Sequence, residues 1–265
     1  MRSLFALFAL LALLPSSAWA GPIIVSGDEN ITNALTGNGV AVNAGNQRFF
    51  ANVLGAGSRV VVQGTDLGGI DTPVANTNTF YNTLTGVTST IQVGPVTAAS
   101  LAGVNLFVSA IPATPFTAAE VTALGDFSTA GGSIFLLGDR LGFPAGQLGS
   151  VNLNALLVGL GSGLRIVLAD LDLNFRTAMG AQIASTPLTT GVTSFSYAAA
   201  SQVTGGTPQF FTTGGQAFIA AENIVGPGPG PAPIPEPATL AAFGLMGAAG
   251  FGYVRRRLTG APVAA

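Results

Sequence analysis

The 265-residue chain contains no cysteine, no histidine and no lysine. Without cysteine there is no disulfide framework, and no thiol can serve as nucleophile or metal ligand. Without histidine the commonest general base and the commonest metal ligand are both missing. A Ser-His-Asp constellation is therefore excluded, as is the G-x-S-x-G nucleophile with its histidine partner. Charge is scarce: Asp, Glu and Arg make up 8% of the chain, against roughly 25% in ordinary domains. The soluble surface must be built from Thr, Asn, Ser, Gln and Gly. Between residues 21 and 237 five arginines face eleven acids, a net charge of −6. An acidic, lysine-free surface argues against nucleic acid as a partner.

What is present lies first at the two ends. Residues 1–20 carry Arg2, an apolar run from Leu4 to Leu14, Pro15, and then Ala18-Trp19-Ala20. Small residues at Ala18 and Ala20 are the −3 and −1 positions of a secretory signal helix cleaved after Ala20. At the other end stands Pro235-Glu236-Pro237, then the uncharged run Ala238–Val254, then Arg255-Arg256-Arg257. As a transmembrane helix, residues 238–254 would run about 26 Å, slightly short of a hydrocarbon core of about 30 Å. Tyr253 and Arg255 can bridge the difference at the interface. The three arginines act as a stop-transfer signal and hold residues 255–265 in the cytoplasm, with the bulk of the chain outside.

Pro-Glu-Pro, a weakly apolar span and an arginine cluster, in that order, resemble the PEP-CTERM sorting signal of Gram-negative bacteria. The resemblance implies export through the inner membrane, anchoring by the C-terminal helix, processing by an exosortase, and a final place at the cell surface or outside the cell. Eight uncharged residues, Leu258–Ala265, follow the arginines.

Between the signals the chain divides into a polar, Gly/Asn-rich lead-in (21–45) with a short strand at Ile23–Val25, one domain (46–225), and a Gly/Pro spacer that includes the Pro-Glu-Pro motif (226–237). The spacer cannot form a core and reads as semi-rigid extended chain. In the domain, Asn46–Leu54 and Thr77–Leu84 have helical spacing, whereas Ser58–Gln63, Val104–Ala110 and Ser133–Leu137 are continuous apolar or β-branched runs. Such runs mark strands buried on both faces. Gly86–Val93 alternates as a further strand. Thr117 with Glu120 three residues on is a capping box, opening a helix that carries Val121, Leu124 and Phe127 and stops at Gly131-Gly132. Strand, helix and strand with short links imply a parallel sheet. Asn152–Gly159 is predicted as a helix, Leu164–Leu168 and Ala217–Ala221 as strands, and Leu188–Tyr197 and Gln209–Thr213 as strands or extended loops. The fold expected is α/β with a mainly parallel central sheet.

Residues Thr117, Glu120, Leu124, Phe127, Gly131-Gly132, Gly138-Asp139 and Asn154 carry a resemblance to class I glutamine-amidotransferase-like domains. That family's catalysis needs a cysteine and a histidine, and this chain has neither. The resemblance therefore implies a fold, a flavodoxin-like three-layer sandwich with a mainly parallel central sheet, and no catalytic residue, and no cofactor is expected.

The weak ligand-site candidates are Asp139 and Arg140, at the carboxyl end of a predicted strand where α/β sheets bind ligands. A loop-turn Asp beside a surface Arg explains them as well. Asp170 and Asp172 alternate around Leu171, which on a strand puts both carboxylates on one face. They suit a Ca²⁺ ion or an acid/base pair, or more simply a solvated edge. Asp28-Glu29-Asn30 has oxygen ligands for Ca²⁺ without EF-hand spacing. Gly159–Gly163 is glycine-rich like a phosphate loop, but no lysine follows, and a helix C-terminus accounts for it. Two functions fit: a non-catalytic surface or matrix protein associated with exopolysaccharide, or a hydrolase of envelope or matrix polysaccharide that uses carboxylates alone.

Overall fold

A computed structural model of the chain describes residues 20–64 and 72–223. The expected signal segment (except Ala20), the Gly/Pro spacer, the apolar run 238–254 and the arginine cluster lie outside these residues. Among the described residues no helix is long and apolar enough to cross a membrane.

The architecture is mixed α/β. Strands β1 (Pro22–Ser26), β2 (Arg59–Gln63), β3 (Thr88–Gln92), β4 (Leu106–Ala110) and β5 (Ser133–Leu137) are mutually parallel where they pair. Five of the remaining strands are β6 (Arg165–Leu171), β7 (Arg176–Met179), β8 (Ser194–Tyr197), β9 (Ala200–Thr204) and β10 (Thr207–Phe211), and β11 (Ala217–Asn223) is the last. The helices are α1 (Asn33–Thr36), α2 (Ala44–Leu54), α3 (Thr72–Thr83), α4 (Ala118–Thr129) and α5 (Pro144–Gly159). The seven-stranded sheet has the order β10-β11-β1-β5-β4-β2-β3. β1–β11 and β10–β11 are antiparallel, and β6–β9 and β7–β8 form separate antiparallel pairs. The runs Val60–Val62, Val104–Val108 and Ile134–Leu137 thus supply adjacent parallel strands, as their continuous apolarity requires.

The five parallel strands, read β3-β2-β4-β5-β1, fit the spatial order of a flavodoxin-like sheet, 2-1-3-4-5. The difference is that the last position is filled by the first strand of the chain. Residues 21–45, expected as a polar lead-in, are therefore built into the domain: β1 sits between β5 and β11, with Ile23, Ile24 and Val25 fully buried.

Alternation along the strands sends side chains to two cores. On one face Ile24, Val60, Val62, Leu106, Val108 and Phe135 meet α2, α3 and β8. Aromatic rings dominate here. Phe49 meets Phe210 edge-on at 5.0 Å, and Phe195 stacks on Phe210 at 4.0 Å. On the other face Ile23, Val25, Val61, Phe107, Ile134 and Leu136 meet Leu124 and Phe127 of α4 and Leu153, Leu156 and Leu157 of α5. The capping box is formed: Glu120 N–H donates to Thr117 Oγ1 (3.3 Å), and Thr117 N–H donates to Glu120 Oε2 (2.8 Å). α5 begins eight residues before its expected start, with Pro144 in its first turn. Its two early glycines read as loop in the sequence. They are there because a side chain at Gly149 would meet the Ile111 backbone at 2.4 Å, and one at Gly146 would meet Asp139 Cβ at 2.5 Å.

Candidate functional site

Two of the central strands end in the same way. β1 runs into Gly27-Asp28-Glu29 and β5 into Gly138-Asp139. Because Ser26 pairs with Leu137 and Gly138 N–H donates to Ser26 O (2.8 Å), the two Gly-Asp steps lie side by side at the carboxyl ends of neighbouring parallel strands. This is where open α/β sheets place their ligands. Asp28, Glu29 and Asp139 are 0%, 8% and 2% exposed.

Burial dominates their titration. It pushes Asp28 up to about 8, against hydrogen bonds from Ala198 and Asn30, and the nearby charge of Asp139 adds to the rise. Glu29 is also raised to about 8, by burial and then by the charges of Asp139 and Asp28. Asp139 is raised to about 7 by burial, opposed by the Arg140 backbone bond and guanidinium. Near neutral pH Asp28 and Glu29 are therefore mostly protonated, which is how a low-dielectric site keeps several carboxyls together.

Each carboxyl is held differently. Asp28 Oδ1 accepts from Asn30 N–H (2.7 Å) and Oδ2 from Ala198 N–H (2.8 Å). Asp139 Oδ1 accepts from Arg140 N–H (2.8 Å). The Asp139 backbone is fixed by two serines: its N–H donates to Ser150 Oγ (2.9 Å), and its carbonyl accepts from Ser201 Oγ (2.9 Å). Ser201 N–H in turn donates to Gly27 O (2.7 Å). A side chain at Gly27 would meet that same serine's carbonyl at 2.2 Å, so only glycine admits the approach. The site is thus closed by the corner between β8 and β9.

The other sequence-derived candidates lie around this corner but do not converge on it. Arg140 Nη1 pairs with Asp170 Oδ1 at 3.5 Å, and Asp170 Oδ1 also accepts from Gly142 N–H (2.9 Å). Asp172 does not continue β6: its φ is +46°, so the strand alternation that would align it with Asp170 ends at Leu171. Its carboxylate accepts from Tyr197 O–H (2.6 Å), Thr213 O–H (2.6 Å) and Thr213 N–H (2.9 Å). Despite partial burial, these bonds and Arg176 hold its carboxyl below the usual range. Asp170 and Asp172 therefore belong to two separate networks. Among the described residues no group of three acidic, His or Cys side chains is arranged to hold a metal ion. Gly159–Gly163 forms the end of α5, with Gly161 at φ +71°.

Glu29 was named in the sequence only as one of a calcium-like triplet, and its partnership with Asp139 was missed. The available signal was the repeated Gly-Asp after an apolar run. A concavity lies elsewhere, in the segment after β7. It is lined by Ser185, Thr186, Thr189, Thr190 and Thr193 together with the apolar Ile183 and Val192, and no charged residue lines it.

Comparison with known families matches residues 233–257 to the PEP-CTERM protein-sorting motif. No curated protein matches the chain. Among solved structures, the mmIFT52 N-terminal domain is similar at 20% identity and a TM-score of 0.38, over 46% of this chain. The match spans 64% of that structure. The chain carries the sorting motif, which supports an exported protein handled by an exosortase.

Proposed function

We propose that this is an exported protein held at the inner membrane by its tail, sorted by an exosortase through Pro235-Glu236-Pro237, and delivered to the cell surface or extracellular matrix. There it acts as a non-catalytic component associated with exopolysaccharide. The observation that carries the reading is the sorting motif at residues 233–257. Export is supported by the Ala18–Ala20 signal pattern. A neutral glycan partner is supported by the sparse charge and by the uncharged, mixed Ser/Thr and apolar concavity. The flavodoxin-like, amidotransferase-like assignment of the domain is supported by the order of its parallel strands. With no Cys and no His in the chain, that assignment brings no amidotransferase chemistry.

A second reading rests on Asp28, Glu29 and Asp139. A carboxyl whose pKa lies near the working pH can act as a general acid, so a carboxylate-only hydrolase is the alternative. Opposing it, both oxygens of Asp28 are engaged by backbone N–H groups. A glycan array run in parallel with a polysaccharide hydrolase assay on the mature protein separates the two. Saturable glycan binding without release of reducing ends is the expected result. Turnover abolished by Glu29→Gln would establish the alternative.

A further inference from the structure

The outer face of α5 is apolar and uncovered. Leu148, Val151 and Val158 are 48%, 50% and 60% exposed, and Ala155 between them is exposed as well. Their spacing of three, four and three residues places all four on one stripe. The opposite side of the same helix is spent on the core, through Leu153, Leu156 and Leu157. Residues 144–159 include no charged side chain at all. A soluble domain with so few charges would ordinarily place some of them on its exposed helix faces.

The route of the chain brings this stripe within reach of a lipid surface. Glu222, at the end of β11, accepts with both carboxylate oxygens from Gly163 N–H (3.2 and 3.1 Å). Gly163 lies three residues past Leu160, the C-cap of α5. The last described strand therefore ends beside the C-terminal end of α5. From Asn223, fourteen residues (224–237) lead to the uncharged run Ala238–Val254. Fully extended, that tether reaches at most about 50 Å. That length is enough for α5 to reach the lipid surface while the tail is in the bilayer.

We propose that the Leu148–Val158 face of α5 rests on the lipid interface while the protein is anchored. This inference depends on the tail-anchoring part of the proposed function. Such a stripe is too weak to hold a free protein on a membrane. Tethering removes that requirement, because it turns docking into an intramolecular step at high effective concentration. Charge favours the face: residues 144–159 carry none, so no ionised group has to be desolvated against the lipid, whereas a face bearing Asp, Glu or Arg would meet that cost. A second copy of the chain is a poorer occupant. The stripe is about 15 Å long and about 10 Å wide, on the order of 150 Å², well short of the roughly 800 Å² per partner of a stable interface.

The absence of native cysteine allows a single-site probe on the full chain. Ala155→Cys is labelled with an environment-sensitive fluorophore, and Ala75→Cys, exposed on α3 across the sheet, serves as the control. Both are reconstituted into phosphatidylcholine vesicles and recovered by flotation. The expected result is a blue-shifted emission at position 155 that nitroxide-bearing lipid quenches, with neither effect at position 75. Chain that floats while the probe at 155 reports water overturns the contact and leaves tail anchoring intact. Failure to float overturns both. A blue shift at 155 in detergent without vesicles, growing with protein concentration, assigns the face to a second copy and overturns the lipid contact.

Discussion

The buried carboxyls make a sharp prediction about pH. A carboxyl raised in the folded state retains its proton at pH values where the unfolded chain has lost it. Its stabilising contribution is then complete below the unfolded value, near 3.8 for Asp28, and is lost as pH rises through the folded value of about 8. At about 1.4 kcal/mol per pKa unit, ionising Asp28 in place has a ceiling on the order of 6 kcal/mol. That is comparable to the whole stability of many domains, about 5–15 kcal/mol. Asp28, Glu29 and Asp139 are neighbours, so their ionisations are coupled and the loss is less than three such amounts. Asp28→Asn tests the assignment. The amide oxygen can accept one of the two backbone N–H groups, but its NH₂ then faces the other donor, at a cost of about 1–3 kcal/mol. The variant should be less stable than wild type at pH 5, and the gap should close or reverse by pH 9. Urea unfolding midpoints across pH 5–9 measure this, with the m-value as a check that the transition itself is unchanged. A wild-type midpoint that stays flat or rises between pH 5 and 9 would refute the reasoning. So would an Asp28→Asn curve parallel to it.

Two other substitutions follow from the packing. Leu124, fully buried between α4 and the sheet, should cost about 2–5 kcal/mol as Leu124→Ala in the same urea assay. Asp139→Asn should cost no more than about 1 kcal/mol, because the Asn oxygen still accepts from Arg140 N–H and the bonds to Ser150 and Ser201 involve only the backbone. If a measured activity disappeared in Asp139→Asn while the unfolding midpoint stayed in place, its role would be chemical.

How much of this was legible in the sequence varied with the physical cause. The central strands announced themselves because a strand covered on both faces must be apolar throughout, as Val60–Val62 and Ile134–Leu137 are. The Thr117–Glu120 box was legible because capping is local chemistry. β1 was underestimated, since a five-residue run flanked by Gly21 and Gly27 gains its strand character only from β5 and β11 on either side. The start of α5 was hidden for the opposite reason: Gly146 and Gly149 lower helix propensity, yet close approach to Asp139 and Ile111 demands them. β9 was missed because ASQVT has little apolar character. Asp139 was singled out from its strand-end position alone. Its partnership with Asp28 and Glu29 depends on a register between strands more than a hundred residues apart, which no local pattern encodes.

The central claim concerns sorting, and mass tests it most directly. The full chain and its Pro235→Ala/Glu236→Ala variant are expressed in a host that carries an exosortase, and the exported protein is weighed intact. The account predicts that wild type loses its tail while the variant is exported but keeps it. Identical masses for the two exported proteins would contradict it.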